Sequence, residues 1–238
     1  MTSVSLHAAE VHHDHRDVTG GWLRPAVFGV MDGLVSNASL IAGVVGSGAS
    51  TSAVAIAGLA GLAAGAFSMA TGEYTSVRSQ TEMTLAEIAV ERREIARNPE
   101  AEERELALLY ESRGLTPELA REVARQLHAH DEVAWRVHAR EELGVDPDDL
   151  PSPWVAAGSS FLAFALGALI PLLPFLLGFG SVIAAAALTA AGLFGTGALV
   201  ARLTRRSSVF GGARQLLLGA AAAAVTYGIG HLVGAVIS

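Results

Sequence analysis

The stretch PAVFGVMDGLVSNASLIAGVVGSGASTSAVAIAGLAGLAAGAFSMATGEY, residues 25–74, decides the fold. Between Arg24 and Glu73 it carries one charge, Asp32, amid Ala, Gly, Val, Leu and Ile. A membrane-spanning helix takes about 20 apolar residues. The stretch therefore has room for two spans, over 25–45 and 52–74, turning at Gly46-Ser47-Gly48-Ala49-Ser50. A carboxylate at bilayer depth costs roughly 2.5–3.5 kcal/mol on insertion scales, so Asp32 is expected to face a polar path or a cation.

The same pattern recurs downstream. Residues 154–203 leave room for two more spans, turning near Gly178-Phe179-Gly180-Ser181, and a fifth runs over 215–237. Pro171 and Pro174 are expected to kink the third span, a placement that membrane helices tolerate when neighbours satisfy the freed backbone. Charge is segregated to match. Eighteen of the 23 acids and nine of the 16 basic residues fall within 80–150. The fold expected is an all-α integral membrane protein with five transmembrane helices and a three-helix cytoplasmic insertion between spans two and three. Its divisions are a polar tail (1–21), spans one and two (22–79), the insertion (80–150) and spans three to five (151–238). The tail lacks the basic-then-apolar layout of a cleaved signal peptide, so the first span is expected to remain as an anchor.

Orientation follows from arginine, since the chain has no lysine. Arg16 and Arg24 precede span one, Arg78 follows span two, and Arg202, Arg205, Arg206 and Arg214 lie between spans four and five. With five spans all of these fall on one side, which the positive-inside rule makes cytoplasmic, leaving the C-terminus outside. The Ala-, Gly- and Arg-rich composition points to a GC-rich bacterial genome and hence to a plasma membrane.

The insertion reads as three helices: from Gln80 to Arg97, from Pro99 to Gly114, and from Thr116-Pro117, an N-cap and first helical position, to Leu143-Gly144. Glu91 and Glu94 are three apart, as are Glu102 and Glu105, while His138 and Glu142 are four apart. Each spacing puts both side chains on one helix face. Convergence of these faces would bind divalent cations, with oxygen and imidazole donors suiting Mn²⁺, Fe²⁺, Zn²⁺ or Co²⁺ over Cu(I). An acidic face with arginine at i+4 is equally the pattern of a solvated helix. Imidazole binds metal only when neutral, so His138 is expected to dominate the pH dependence of binding and to favour Zn²⁺ and Co²⁺.

In the membrane, Ser36 lies one turn from Asp32, and Met69 one turn from Glu73. Both pairs sit toward the cytoplasmic end of their spans, so Asp32, Met69 and Glu73 are expected to meet. Taken alone, Met69 also reads as apolar packing and Glu73 as an interfacial acid. Gly29-xxx-Gly33 and Gly61-xxx-Gly65 mark close helix contacts, within one chain or between two. His12, His13, Asp14 and His15 form either a metal-binding cluster or an unstructured tail. Without cysteine, thiolate metal sites and Cys nucleophiles are excluded.

Asp32-Gly33-Leu34-Val35-Ser36, Ser68-Met69-Ala70-Thr71-Gly72-Glu73-Tyr74 and Glu141-Glu142-Leu143-Gly144 together resemble the vacuolar iron transporter (CCC1-like) family, from about Trp22 to the C-terminus. The resemblance implies a homodimer that exports cytosolic Fe²⁺, and often Mn²⁺, in exchange for protons. It assigns Asp32 and Met69 to the transport pathway, with Glu73 in the matching motif, and Glu91, Glu94, Glu102, Glu105 and Glu142 to cytoplasmic metal binding. Where better-known members have Met followed by Glu, this chain has His138-Ala139, which exchanges a thioether for imidazole and removes a carboxylate. The partners implied are divalent metal ions, protons, the lipid bilayer and a second copy of the chain, with no nucleic acid. No permanent cofactor and no enzymatic activity are expected. A metal sensor without flux, and a membrane-bound di-iron oxidase, are the competing classes. The oxidase needs Glu-x-x-His on its helices, a spacing that the Glu residues of 80–150 lack.

Overall fold

Capping chemistry sets most of the helix starts. Ser50, Thr116, Ser152 and Ser181 each accept a backbone N–H from three residues on, and Pro99, Pro117 and Pro153 occupy first turns. The computed structural model describes residues 21–237, which form eight helices and no strand. They are α1 (Leu23–Gly46), α2 (Thr51–Arg97), α3 (Pro99–Ser112), α4 (Pro117–His128), α5 (Asp131–Glu141), α6 (Pro153–Leu176), α7 (Val182–Leu203) and α8 (Ser208–Ile237). Five of these, α1, α2, α6, α7 and α8, are long and apolar enough to cross a membrane. The cluster of His12, His13, Asp14 and His15 lies outside the described residues.

Three expectations change. Span two and the first soluble helix are one helix, the 47-residue α2. At 1.5 Å per residue it is about 70 Å long, more than twice the hydrocarbon thickness, so its far end, which leads into α3, lies well beyond a single membrane crossing. The third soluble helix, expected unbroken over 116–143, is interrupted at Ala129-His130 and becomes α4 and α5. The charges explain the break. Arg125 and His128 close α4 while Asp131 and Glu132 open α5, each set complementing its helix dipole. Finally, α8 begins at Ser208, which places Arg214 inside a helix. The third span, α6, continues through Pro171 and Pro174.

Small residues let the membrane helices approach. Gly33 packs directly on the α6 backbone, and a Cβ there would collide with the Phe164 carbonyl oxygen. Gly167 of α6 returns the contact against the Val30 carbonyl. The Gly29-xxx-Gly33 face is therefore used within one chain. Gly61 and Gly65 likewise receive Leu40 and the Phe164 ring. We expect Gly33→Ala to lower the thermal unfolding temperature in detergent, since overpacking costs about 1–3 kcal/mol. Gly158→Ala, with open space around its Cβ, should leave it unchanged; equal midpoints for the two variants would count against this α1–α6 contact.

Aromatic packing gathers the chain at one end of the bundle. Tyr74 of α2 and Trp154 of α6 stack with centroids 4.7 Å apart, and the Thr81 hydroxyl donates to Pro151 O at 3.5 Å. Beyond this end the soluble helices build two small cores. Ile88 and Ile95 of α2 pack with Ala134, Trp135 and Ala139 of α5. Leu106 and Ala107 of α3 pack with Ala124 of α4.

Candidate metal sites

The first site is inside the membrane bundle. A cavity of about 220 Å³ is lined by Asp32, Ser36, Asn37 and Leu40 of α1, by Gly61, Gly65, Ser68 and Met69 of α2, and by Phe164 of α6. Ser36 Oγ donates to Asp32 Oδ1 at 2.6 Å, as the one-turn spacing requires. Asn37 is almost fully buried. Its Nδ2 donates to the Ala168 carbonyl of α6 at 2.6 Å, while its Oδ1 has no hydrogen-bond partner and faces the backbone at Gly61. The cavity thus offers a carboxylate, hydroxyl and amide oxygens, and a thioether, a mixed donor set compatible with borderline divalent metals.

Asp32, Ser36 and Met69 therefore share one cavity, but Glu73 does not line it; it stands half-buried one turn further along α2. Sequence reasoning passed over Asn37 and Ser68. The available signal was the polar pair Ser36-Asn37 inside an apolar span, where an unneeded amide is costly to bury.

The second site lies in the soluble helices. Glu91 comes from α2, His138 from α5 and Glu142 from the residue capping α5. His138 is fully buried; its Nδ1 lies 2.9 Å from Glu91 Oε1 and 2.7 Å from Glu142 Oε1. The three ligand atoms fall within 4.8 Å of one another. All three are buried without a well-directed hydrogen bond, so they converge on shared space instead of pairing with each other. Two carboxylates and one ring nitrogen crowded this way need a proton or a cation between them.

Glu94, Glu102 and Glu105 surround this triad as electrostatic neighbours, and the three-ligand cluster does not include them. Burial, then Glu142, Glu102, Glu105 and Glu94, pushes the Glu91 carboxyl up to about 7. Burial, then Glu105 and Glu102, raises Glu142 to about 7 as well. Burial and Glu105 also raise Glu102. Burial lowers His138 despite the opposing pull of Glu102 and Glu105, so its ring is neutral near pH 7. Glu91 and Glu142, both raised by burial and by neighbouring carboxylates, therefore add to the pH dependence expected of His138.

The neighbouring residues have other tasks. Glu141 accepts from the Tyr110 hydroxyl at 3.3 Å and pairs with Arg113, tying α5 to α3. Ala139 is fully buried in the apolar core against Ile88, Ile95 and Trp135.

The model of the VIT family matches residues 23–231, nearly the whole of the described chain. The chain belongs to the VIT family. Among its relatives is a protein of Acanthamoeba castellanii (strain ATCC 30010 / Neff) named "Vacuolar iron transporter", 42% identical over 226 residues, covering 90% of this chain and 79% of the relative. "Vacuolar iron transporter 1" of Arabidopsis thaliana is 31% identical, over 93% of this chain and 90% of its own. "Vacuolar iron transporter 1" of Oryza sativa subsp. japonica is 32% identical with the same coverage. These are eukaryotic proteins named for the vacuole, which overturns the expectation of a bacterial plasma membrane. The VIT family's relatives are transporters, not enzymes.

Proposed function

We propose that this VIT-family protein carries Fe²⁺, and Mn²⁺ beside it, out of the cytosol in exchange for protons, and that it works as a homodimer. The observation that carries the reading is the membrane cavity in which Asp32 shares space with Ser36, Asn37, Ser68 and Met69. A lone acid at that depth is favourable only when a cation or proton balances it. The soluble triad supports the same chemistry from outside the membrane. Glu91 and Glu142, raised to about 7, are partly protonated near neutrality, so metal arriving there displaces protons.

The mechanism follows from these two sites. Glu91, His138 and Glu142 collect metal, with Glu94, Glu102 and Glu105 adding negative potential around them. The metal then enters the cavity, where Asp32 balances its charge and Met69 supplies a softer donor. Alternating exposure of the cavity, with a proton entering from the far side in exchange, releases it. Residues 22–79 and 151–237 form the transport body and 80–150 the collecting domain. Proton coupling and the homodimer rest on the family resemblance.

Proteoliposome flux tests this reading. With the soluble helices facing outward, Fe²⁺ and Mn²⁺ should accumulate inside, several-fold faster when the interior is acid. Absence of flux for any divalent metal would reject transport; flux indifferent to the pH gradient would remove the proton.

A further inference from the structure

We infer that His128 is a positioning residue that sets His138 as a metal ligand, by accepting the proton on the ring nitrogen facing away from the carboxylates. The inference rests on the reading of Glu91, His138 and Glu142 as a metal site. His138 Nε2 lies 2.8 Å from His128 Nε2, with the two rings 5.0 Å apart between centroids and inclined at 73°. Two ring nitrogens at that separation share one proton, so one donates and the other accepts.

Which one donates follows from the opposite edge of the ring. His138 Nδ1 faces Glu91 Oε1 and Glu142 Oε1. To give its lone pair to a cation held between those oxygens, neutral His138 must carry its proton on Nε2. That N–H is buried, and His128 Nε2 is the acceptor within reach. His128 then bears its own proton on Nδ1. The opposite arrangement, with His128 donating, puts the His138 proton on Nδ1 and closes the ring to a cation. Metal-bound histidines ordinarily donate the other N–H to such a partner, and losing that partner costs about 10–100-fold in metal affinity.

The interruption between α4 and α5 makes this pairing. On one unbroken helix, residues 128 and 138 would stand about 15 Å apart along the axis. The break at Ala129-His130 turns α5 back so that the end of α4 meets the buried ring. His128 is half-buried there, close enough to bond and positioned on the side of His138 away from both carboxylates.

The test is Zn²⁺ titration calorimetry on the full-length protein in detergent, at one fixed, mildly alkaline pH. His128→Phe keeps a ring but offers no acceptor, and should weaken Zn²⁺ binding by at least about tenfold. His128→Gln, whose side-chain carbonyl accepts, should recover most of that loss. In a His138→Met background, His128→Phe should cost nothing further, because a thioether carries no proton to place. Affinity in His128→Phe within about twofold of the parent, or an equal loss in the His138→Met background, overturns the inference. Emission from Trp135 in the adjoining core reports folding. Should His128→Phe disturb it, weak binding by a natively emitting His128→Gln is the overturning result. Glu91→Gln with Glu142→Gln separates the underlying reading. Unchanged Zn²⁺ binding there would remove the site itself, whereas loss there with an unaffected His128→Phe removes only His128.

Discussion

Asp32→Asn is expected to reduce metal flux to background, a loss of at least about a hundredfold, while the protein remains folded. Asn is nearly isosteric, and its side-chain oxygen can still accept from Ser36 Oγ, so the local geometry of α1 is kept. What disappears is the negative charge that balances a divalent cation inside the bundle. Removing it also relieves an insertion cost of roughly 2.5–3.5 kcal/mol, so the variant should be no less stable than the parent. A variant that folds better and transports nothing is the signature of a residue kept for its charge. Flux is measured in proteoliposomes, with thermal unfolding in detergent as the control. Near-normal flux would take Asp32 out of the mechanism, and silent flux with a lower unfolding temperature would make its role structural.

The spans were legible because bilayer thickness imposes a length and a composition that survive without knowledge of packing. Asp32 stood out for the same reason: charge is rare where dielectric is low. Packing itself was not legible. Nothing in Gly29-xxx-Gly33 says whether its groove receives α6 or another protein, and Phe164, which fills that role, lies more than a hundred residues away. The continuity of α2 was missed because a composition shift at residue 80 marks the edge of the membrane, not the end of a helix. Spacing put Glu91 and Glu94 on one face and both are half-buried, but only the first reaches His138 and enters the triad. The α4–α5 break was written in the sequence, as basic residues followed by Asp131 and Glu132, and was read as more helix. Since that break brings His128 to His138, the local signal overlooked was also the one nearest the chemistry.

The other large effect expected is on the soluble triad. Zn²⁺ affinity of the intact protein should fall steeply as pH drops from about 8 to about 6, approaching tenfold per unit for each carboxylate that must release a proton. Glu91 and Glu142, both raised to about 7, supply that dependence. The sign for stability is the reverse of an ordinary surface acid. A carboxyl raised from 4.5 to about 7 by folding carries no penalty below its unfolded value. The penalty grows between the two values and is fully present above about 7. The metal-free protein should therefore lose stability as pH rises from about 4.5 to about 7 and stay at that lower level above it, and added Zn²⁺ should restore stability by binding only the folded form. Glu91→Gln combined with Glu142→Gln tests both halves at once. It should raise the unfolding temperature of the metal-free protein at pH about 8, flatten its pH dependence, and lower Zn²⁺ affinity by at least about a hundredfold through loss of two anionic ligands. Transport should slow without stopping, because the cavity at Asp32 is untouched. Calorimetry and thermal unfolding across that range decide it. Affinity that stays flat with pH in the parent would mean these carboxylates are ionised and solvated, and that the crowding around His138 Nδ1 serves packing instead of metal.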